Sequence, residues 1–478
     1  MATTDWALFE HYVEQAMKEN HIVGAAVAVA DESQLLYARG FGVKDLESQD
    51  PVTPETIFGC ASVSKSFTAM AIAQLAGQGM LAVDNPVIEH IPEFRLVGMK
   101  DMCDVKIRHI LSHTTGLPPM TRRQDIIDLD EHLRYIASAE YELLGEPGEY
   151  FSYCNDTFLL NGLIIQRKSG QLYRRYMTRH ILDAAGMNRS TYNLEELEKM
   201  GNLSTPYSYN SNTKTHDKQN WPVLGTYEVG GGVRSCVLDL MKYGQIYLRG
   251  GVAPNGKRIA PAEELKRMWN SPMYATGRKT YYNFALQVTP NYAGTGITLA
   301  EHGGGQPGVS SNFGFVPERG ITAAVLTNVG GVPAGAIWLA AVNTALGLPL
   351  NTQKSVEVDS GASPEELARF AGLYKCDEGG RIELVMDGDT LTLKTENGEV
   401  QVKASDDHTL FYEDMGQQRV LRFYFRDSVG APGSGTSGIH GGSASGGVSS
   451  SAGVPSGTGP LSKPWAVLAR SRMLRRQE

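Results

Sequence analysis

The chain has 478 residues, 41% of them hydrophobic and 20% charged, a balance that supports a substantial buried core and excludes wholesale disorder. That length exceeds what one core usually serves, so a large domain with a smaller companion is expected. With 44 Lys and Arg against 52 Asp and Glu, a net charge of -8, the chain lacks the cationic excess that phosphate backbones require, which excludes nucleic acid and favours a small molecule or peptide.

Cys60, Cys103, Cys154, Cys236 and Cys376 are odd in number, scattered and without a C-x-x-C pair, so neither a disulfide framework nor a zinc site is indicated. The segment Met1 to Trp6 carries no basic region leading into an apolar run, and no stretch approaches about 18 consecutive apolar residues. The expectation is a cytoplasmic protein with no membrane partner and no metal or cofactor.

In chain order, Leu8, Tyr12, Val13, Ala16 and Met17 fall at helical spacing, and Val23 to Ala30 is an apolar run suited to a buried strand. Leu35 to Phe41 reads as its hairpin partner, with Asp31 to Gln34 as the turn. From Ser62 to Gly77, Phe67, Met70, Ala71 and Leu75 share one helical face, which puts Ser62 at a helix start. Helical patterns follow at 156–168, 238–248 and 334–346, mixed with strand-like runs at 284–288 and 321–327, an α/β mixture without regular alternation.

A polar stretch around 353–363 reads as a linker, dividing a catalytic domain, 1–352, from a second domain, 364–478. Beyond it, short runs at 382–386, 390–394, 400–402, 409–412 and 420–425 with Asp-Gly and Asn-Gly turns describe a small antiparallel barrel. A Gly/Ser-rich stretch, 428–462, has no Asp, Glu, Lys or Arg and is expected to be a flexible insertion. Strand character resumes at Trp465, and Arg472, Arg475 and Arg476 read as solvated charge.

Three short patterns carry chemistry. Ser62-Val63-Ser64-Lys65 spaces an amine one helical turn from a hydroxyl, at a helix N-terminus whose N–H groups can face an oxyanion. A desolvated lysine there can accept the serine proton; the bland alternative is a capping serine with a solvated lysine. Tyr153-Cys154-Asn155, extended ahead of a helix, places a phenol and an amide on one side and Cys154 on the other, where a core tyrosine and a capping asparagine are the ordinary reading. His302-Gly303-Gly304-Gly305 offers a strand edge that lets substrate approach the backbone closely, with His302 as a polar or cationic wall; alone, such glycines more often make a turn. His113, among the hydroxyls of Leu111 to Gly116, reads as a hydrogen-bonding structural residue.

In this order the three patterns resemble those of the serine β-lactamases, D,D-peptidases and related esterases, nearest the class C β-lactamase and D-aminopeptidase branch with its S-x-x-K, Y-x-N and K-T-G or H-x-G. Phe58 to Ala69, Ile107 to Pro118 and Val229 to Ser235 are similar to further family segments, so the resemblance covers roughly residues 8 to 350. It implies an antiparallel sheet flanked by helices, the β-lactamase/transpeptidase-like α/β (α+β) fold. It also implies an acyl-enzyme on Ser62, acid and base work shared by Lys65 and Tyr153, and substrate contacts from Asn155, His302 and Gly304. The N–H groups of Ser62 and Gly305 would form the oxyanion hole. The second domain, opened by Leu367 to Tyr374, looks like the lipocalin-like barrel behind some peptidases of this family.

His302 stands where many β-lactamases carry lysine, and a neutral imidazole recognises a carboxylate less well than an ammonium. The leading expectation is therefore a serine peptidase or amidase of the D-aminopeptidase or D,D-peptidase type, taking a small peptide, amide, ester or β-lactam. A carboxylesterase or weak β-lactamase using the same residues is the alternative, and a penicillin-binding sensor that acylates without turnover is a reading of another class. Oligomeric state, a homo-oligomer included, stays open.

Overall fold

The structure is a computed structural model describing residues 6–270, 274–276, 279–395, 398–414, 417–426 and 462–477. Residues 428–461 of the Gly/Ser-rich stretch lie outside them. The chain forms two compact units, the first running to Val356 and the second beginning at Glu357.

The first unit is built on an eight-stranded antiparallel sheet. Its order across the sheet is Leu35–Gly42, Gly24–Asp31, Ile321–Thr327, Val309–Val316, Ile297–Gln306, Gln287–Tyr292, Tyr281–Tyr282 and Tyr274–Ala275. The strand Gly24–Asp31 pairs with Ile321–Thr327, Ala25 opposite Thr327 and Asp31 opposite Ile321, so an early and a late segment lie side by side in the sheet. Those strands are buried on both faces, which is why they read as continuous apolar runs and not as alternating ones.

Period-two alternation then sorts the side chains. Ala26, Ala28, Phe313, Phe315, Ala324 and Leu326 face one core, shared with Phe67, Met70, Ile72 and Tyr243 from the helices. Ala25, Val27, Val29, Ala323 and Val325 face a second, closed by Phe9 and Val13 of the helix Ala7–Glu19 and by Ile337, Trp338 and Val342 of the helix Ala334–Leu346.

The helix Ser64–Gly77 has buried residues all round, the signature of a helix enclosed by other elements. It is preceded by a single 3₁₀ turn, Ala61–Val63, so Ser62 sits in the tighter turn that feeds the helix and not in the helix itself. A second difference concerns the strand expected at 284–288. The ladder starts only at Gln287, because Ala285 takes a positive φ of 53° and its N–H bonds the carbonyl of Leu111. The region 120–139 contains the amphipathic helix Leu129–Ser138, capped by the Asp128 carboxylate on the N–H of Glu131.

The second unit is a closed eight-stranded antiparallel barrel, Gly372–Lys375, Arg381–Asp387, Thr390–Thr395, Gly398–Asp406, Thr409–Asp414, Gln417–Tyr424, Ala466–Ala469 and Arg472–Arg476. Leu384, Leu391, Leu393, Val402, Leu410, Leu421 and Phe423 fill it, and closure removes the exposed sheet edges. The arginines near the C-terminus are not simply solvated. They belong to the strand that closes the barrel: Arg472 pairs with Glu378, and Arg476 bonds the Tyr374 hydroxyl and the carbonyls of Arg369 and Ala371.

Candidate active site

The turn that carries Ser62 is clamped from two sides before any side chain chemistry is considered. Phe58 and Gly59 pair with Ser235 and Arg234 in a two-residue ladder, and the N–H of Cys60 donates to the carbonyl of Val233. On the other side the Ser311 hydroxyl donates to the carbonyl of Cys60 at 2.7 Å. Between the clamps Ala61 takes a positive φ of 46°, a conformation unfavourable for an alanine that the surrounding bonds impose. Ser62 follows immediately.

One turn later Lys65 is 1% exposed. Its Nζ lies 3.3 Å from Ser62 Oγ, 2.9 Å from Asn155 Oδ1 and 3.1 Å from the carbonyl oxygen of Gly230. A Cβ on Gly230 would come within 2.8 Å of that Nζ, so a larger residue there would make the lysine head shift. Nζ also stands 4.9 Å from the centroid of the Tyr153 ring and 5.3 Å from that of Phe158.

Tyr153 and Asn155 thus reach Lys65 from the same segment, as their i, i+2 spacing requires, while Cys154 is buried in the apolar cluster. The segment is held by His113. That residue has a φ of 57°, its carbonyl accepts from the N–H of Ser152, and its Nδ1 lies 3.1 Å from the carbonyl oxygen and 3.2 Å from the backbone nitrogen of Cys154. Its ring stacks on Tyr153 with centroids 4.0 Å apart. The structural hydrogen-bonding part expected of His113 is what it plays, and the residue it supports is Tyr153.

His302 is buried, with Nδ1 2.6 Å from the carbonyl oxygen of Gly303 and Nε2 2.8 Å from the Tyr282 hydroxyl. A carbonyl can only accept, so Nδ1 carries the hydrogen and Nε2 accepts from the phenol. Burial, and then the nearby Lys65 charge, push its pKa down to about 3. His302 is therefore a neutral imidazole, and the cationic version of the expected wall is corrected.

Gly304 has a structural task. A Cβ there would lie 2.3 Å from the carbonyl oxygen of Cys60 and 2.3 Å from Ser311 Oγ, so its bare Cα lets the strand press against the turn that carries Ser62. Gly305, one residue on, meets nothing within 4 Å and lines a cavity together with Ser62, Lys65, Asn155, Tyr227 and Gly231.

Sequence reasoning missed three parts of this site. The Gly230 carbonyl belongs to a segment whose likeness to the family was noted without a role. Tyr282 comes from a short strand far along the chain. The third part is a buried network behind the cavity wall: Tyr227 donates to Asp156 Oδ1 at 2.7 Å, and His132 Nε2 lies 3.2 Å from the same oxygen. Only the position of Asp156, directly after Asn155, could have signalled it.

The family signature described as Beta-lactamase matches residues 9–345. The chain belongs to the beta-lactamase family. Among curated proteins it is 30% identical over 183 residues to Protein flp of Staphylococcus aureus (strain MW2), covering 38% of this chain and 37% of that protein's own length. It is 26% identical over 323 residues to Penicillin-binding protein 4* of Bacillus subtilis (strain 168), covering 62% of this chain and 66% of the relative. Against solved structures it superposes on the octameric penicillin-binding protein homologue from Pyrococcus abyssi with a TM-score of 0.67 and 27% identity, over 88% of this chain and 97% of that one. A structure of SurE solved with D-Leu, 17% identical with a TM-score of 0.65 over 98% of this chain and 99% of that one, shares the fold.

Proposed function

We propose that the protein is an acyl-enzyme serine peptidase or amidase acting on small substrates with a D-residue, through Ser62. The observation that carries this reading is the bonding of Lys65. Asn155 Oδ1 and the Gly230 carbonyl hold Nζ 3.3 Å from Ser62 Oγ, so that in its neutral form the amine is placed to receive the serine proton. Such an amine takes the serine proton as Oγ bonds to the substrate carbonyl carbon.

The negative charge then develops on the carbonyl oxygen, where the N–H groups of Ser62 and Gly305 stabilise it. Collapse of the tetrahedral intermediate breaks the bond to the leaving group, which takes the proton returned by Lys65 through Tyr153. Water repeats the sequence on the acyl-enzyme and frees Ser62. The neutral His302 favours peptidase over efficient β-lactam hydrolysis, since it offers a β-lactam carboxylate no ammonium. The penicillin-binding homologue and the SurE structure with D-Leu support the substrate class by likeness.

Hydrolysis of D-alanyl p-nitroanilide, p-nitrophenyl butyrate and nitrocefin tests the proposal. The expected result is Ser62-dependent turnover of the anilide with nitrocefin the poorest substrate. Turnover of the ester alone would make the protein a carboxylesterase, and a stable nitrocefin adduct without turnover a penicillin sensor.

A further inference from the structure

The two acceptors that hold Lys65 Nζ come from separate segments: Asn155 opens the helix Asn155–Phe158, and Gly230 lies in the helix Glu228–Gly231. Beside each stands a member of one buried cluster. Asp156 follows Asn155, and Tyr227 directly precedes the helix of Gly230. The Tyr227 hydroxyl donates to Asp156 Oδ1 at 2.7 Å, across 71 positions of chain. Burial, and then Asp156 itself, push the Tyr227 phenol above its ordinary pKa, so the hydroxyl keeps the hydrogen that it donates.

This link is backed from a third segment. His132, on the helix Leu129–Ser138, has Nε2 3.2 Å from Asp156 Oδ1 and Nδ1 3.2 Å from the hydroxyl oxygen of Thr226, the neighbour of Tyr227. The N–H of Arg123 donates to the Tyr227 hydroxyl at 3.0 Å. Asp156, His132, Thr226 and Tyr227 are all buried, where a polar contact is stronger than in water. The Gly230 segment is tied on its other side to the lysine's own helix, where the Thr68 hydroxyl donates to the carbonyl of Val229 at 2.6 Å. Lys65 cannot itself set the spacing of its two acceptors, because a flexible four-carbon stem follows wherever they stand. The bond from Tyr227 to Asp156 crosses directly between the two segments.

We infer that Asp156 is a positioning residue for the reaction at Ser62: by bonding Tyr227 it fixes Asn155 Oδ1 and the Gly230 carbonyl relative to each other, and so sets Lys65 Nζ against Ser62 Oγ. This rests on the acyl-enzyme reading of Ser62. It gives the buried cluster behind the cavity wall a part in the rate of acylation, separate from its part in the fold.

The test follows acylation by p-nitrophenyl butyrate, the burst of p-nitrophenol giving the acylation rate constant and its concentration dependence the dissociation constant. Tyr227→Phe removes the hydroxyl and keeps the ring, Asp156→Ala removes the acceptor, and Asp156→Asn keeps an acceptor oxygen at the same reach. Well below each variant's melting temperature, the acylation rate constant is expected to fall about tenfold to a hundredfold in Tyr227→Phe and in Asp156→Ala, with the dissociation constant near that of the wild type. The double variant Asp156→Ala/Tyr227→Phe should be little slower than the slower single one, because both cut one link, and Asp156→Asn should keep most of the rate. If Asp156→Ala does not fold, Tyr227→Phe and Asp156→Asn decide. A rate constant that holds in Tyr227→Phe while its melting temperature falls marks a purely structural bond and overturns the inference. An effect confined to the dissociation constant, or an Asp156→Asn as slow as Tyr227→Phe, overturns it as well, and in each of these outcomes Ser62 remains the nucleophile. Release that survives Ser62→Ala, or absence of any acylation of the wild type, overturns the acyl-enzyme reading and the inference with it.

Discussion

The catalytic unit and the barrel are both built on antiparallel strands, yet they use their interiors differently. The barrel interior is filled by Leu384, Leu391, Val402, Leu410 and Phe423, groups whose removal from water is itself favourable. The catalytic unit buries Lys65, Asn155, His132, Asp156 and His302, groups whose burial is unfavourable unless every hydrogen bond is arranged. A buried polar cluster is thus a mark of chemistry, and a buried aliphatic one a mark of stability.

Replacing Lys65 by Met separates these most sharply. Turnover is expected to fall by roughly a thousandfold or more, as for loss of a general base. Thermal stability should hold or rise, because an apolar chain of similar volume replaces a buried amine. Matched kcat and melting measurements on Lys65→Met check both halves; a loss of stability equal to the loss of rate would erase the contrast.

Gly304→Ala tests the backbone side of the site. Its Cβ would collide with the Cys60 carbonyl, so the nucleophile turn must move and kcat should fall about a hundredfold. Gly305→Ala, with nothing within 4 Å, should leave the melting temperature near that of the wild type.

Acid distinguishes the units again. Below pH 6.5 the unfolded chain takes up a proton at His302 that the folded chain refuses until about pH 3, so stability drops as the pH falls through that window. His109, pushed down to about 4 by burial, adds to the slope. His302→Asn should flatten the pH dependence of the melting temperature between 6.5 and 4, and an unchanged slope would show that His302 does not contribute. The smallest effect on activity belongs to Leu410→Ala. It should cost the barrel about 2–5 kcal/mol while kcat changes less than twofold, read by urea unfolding and by assay.

Much of this was legible in the sequence because it rests on local periodicity. The burial of both faces at Gly24–Asp31, the helix following Ser62 and the alternation of Tyr153 and Asn155 about Cys154 are all consequences of side-chain spacing. What escaped depends on contacts between distant segments. The Gly230 carbonyl reaches Lys65 across 165 positions, and Tyr282 meets His302 from two strands away in the sheet. Ala285 breaks its strand because a carbonyl from Leu111 captures its N–H. The final strand hid behind Arg472, Arg475 and Arg476, whose charges masked the buried Met473 and Leu474 between them.

The central claim is that Ser62 forms the acyl-enzyme, and intact-mass spectrometry of the wild type and Ser62→Ala after brief exposure to D-alanyl p-nitroanilide or a β-lactam tests it most directly. The account predicts a single acyl adduct on the wild-type peptide containing Ser62 and none on the variant, with turnover reduced at least about 10⁴-fold. An adduct of equal yield on both proteins, or turnover that survives the substitution, would contradict it.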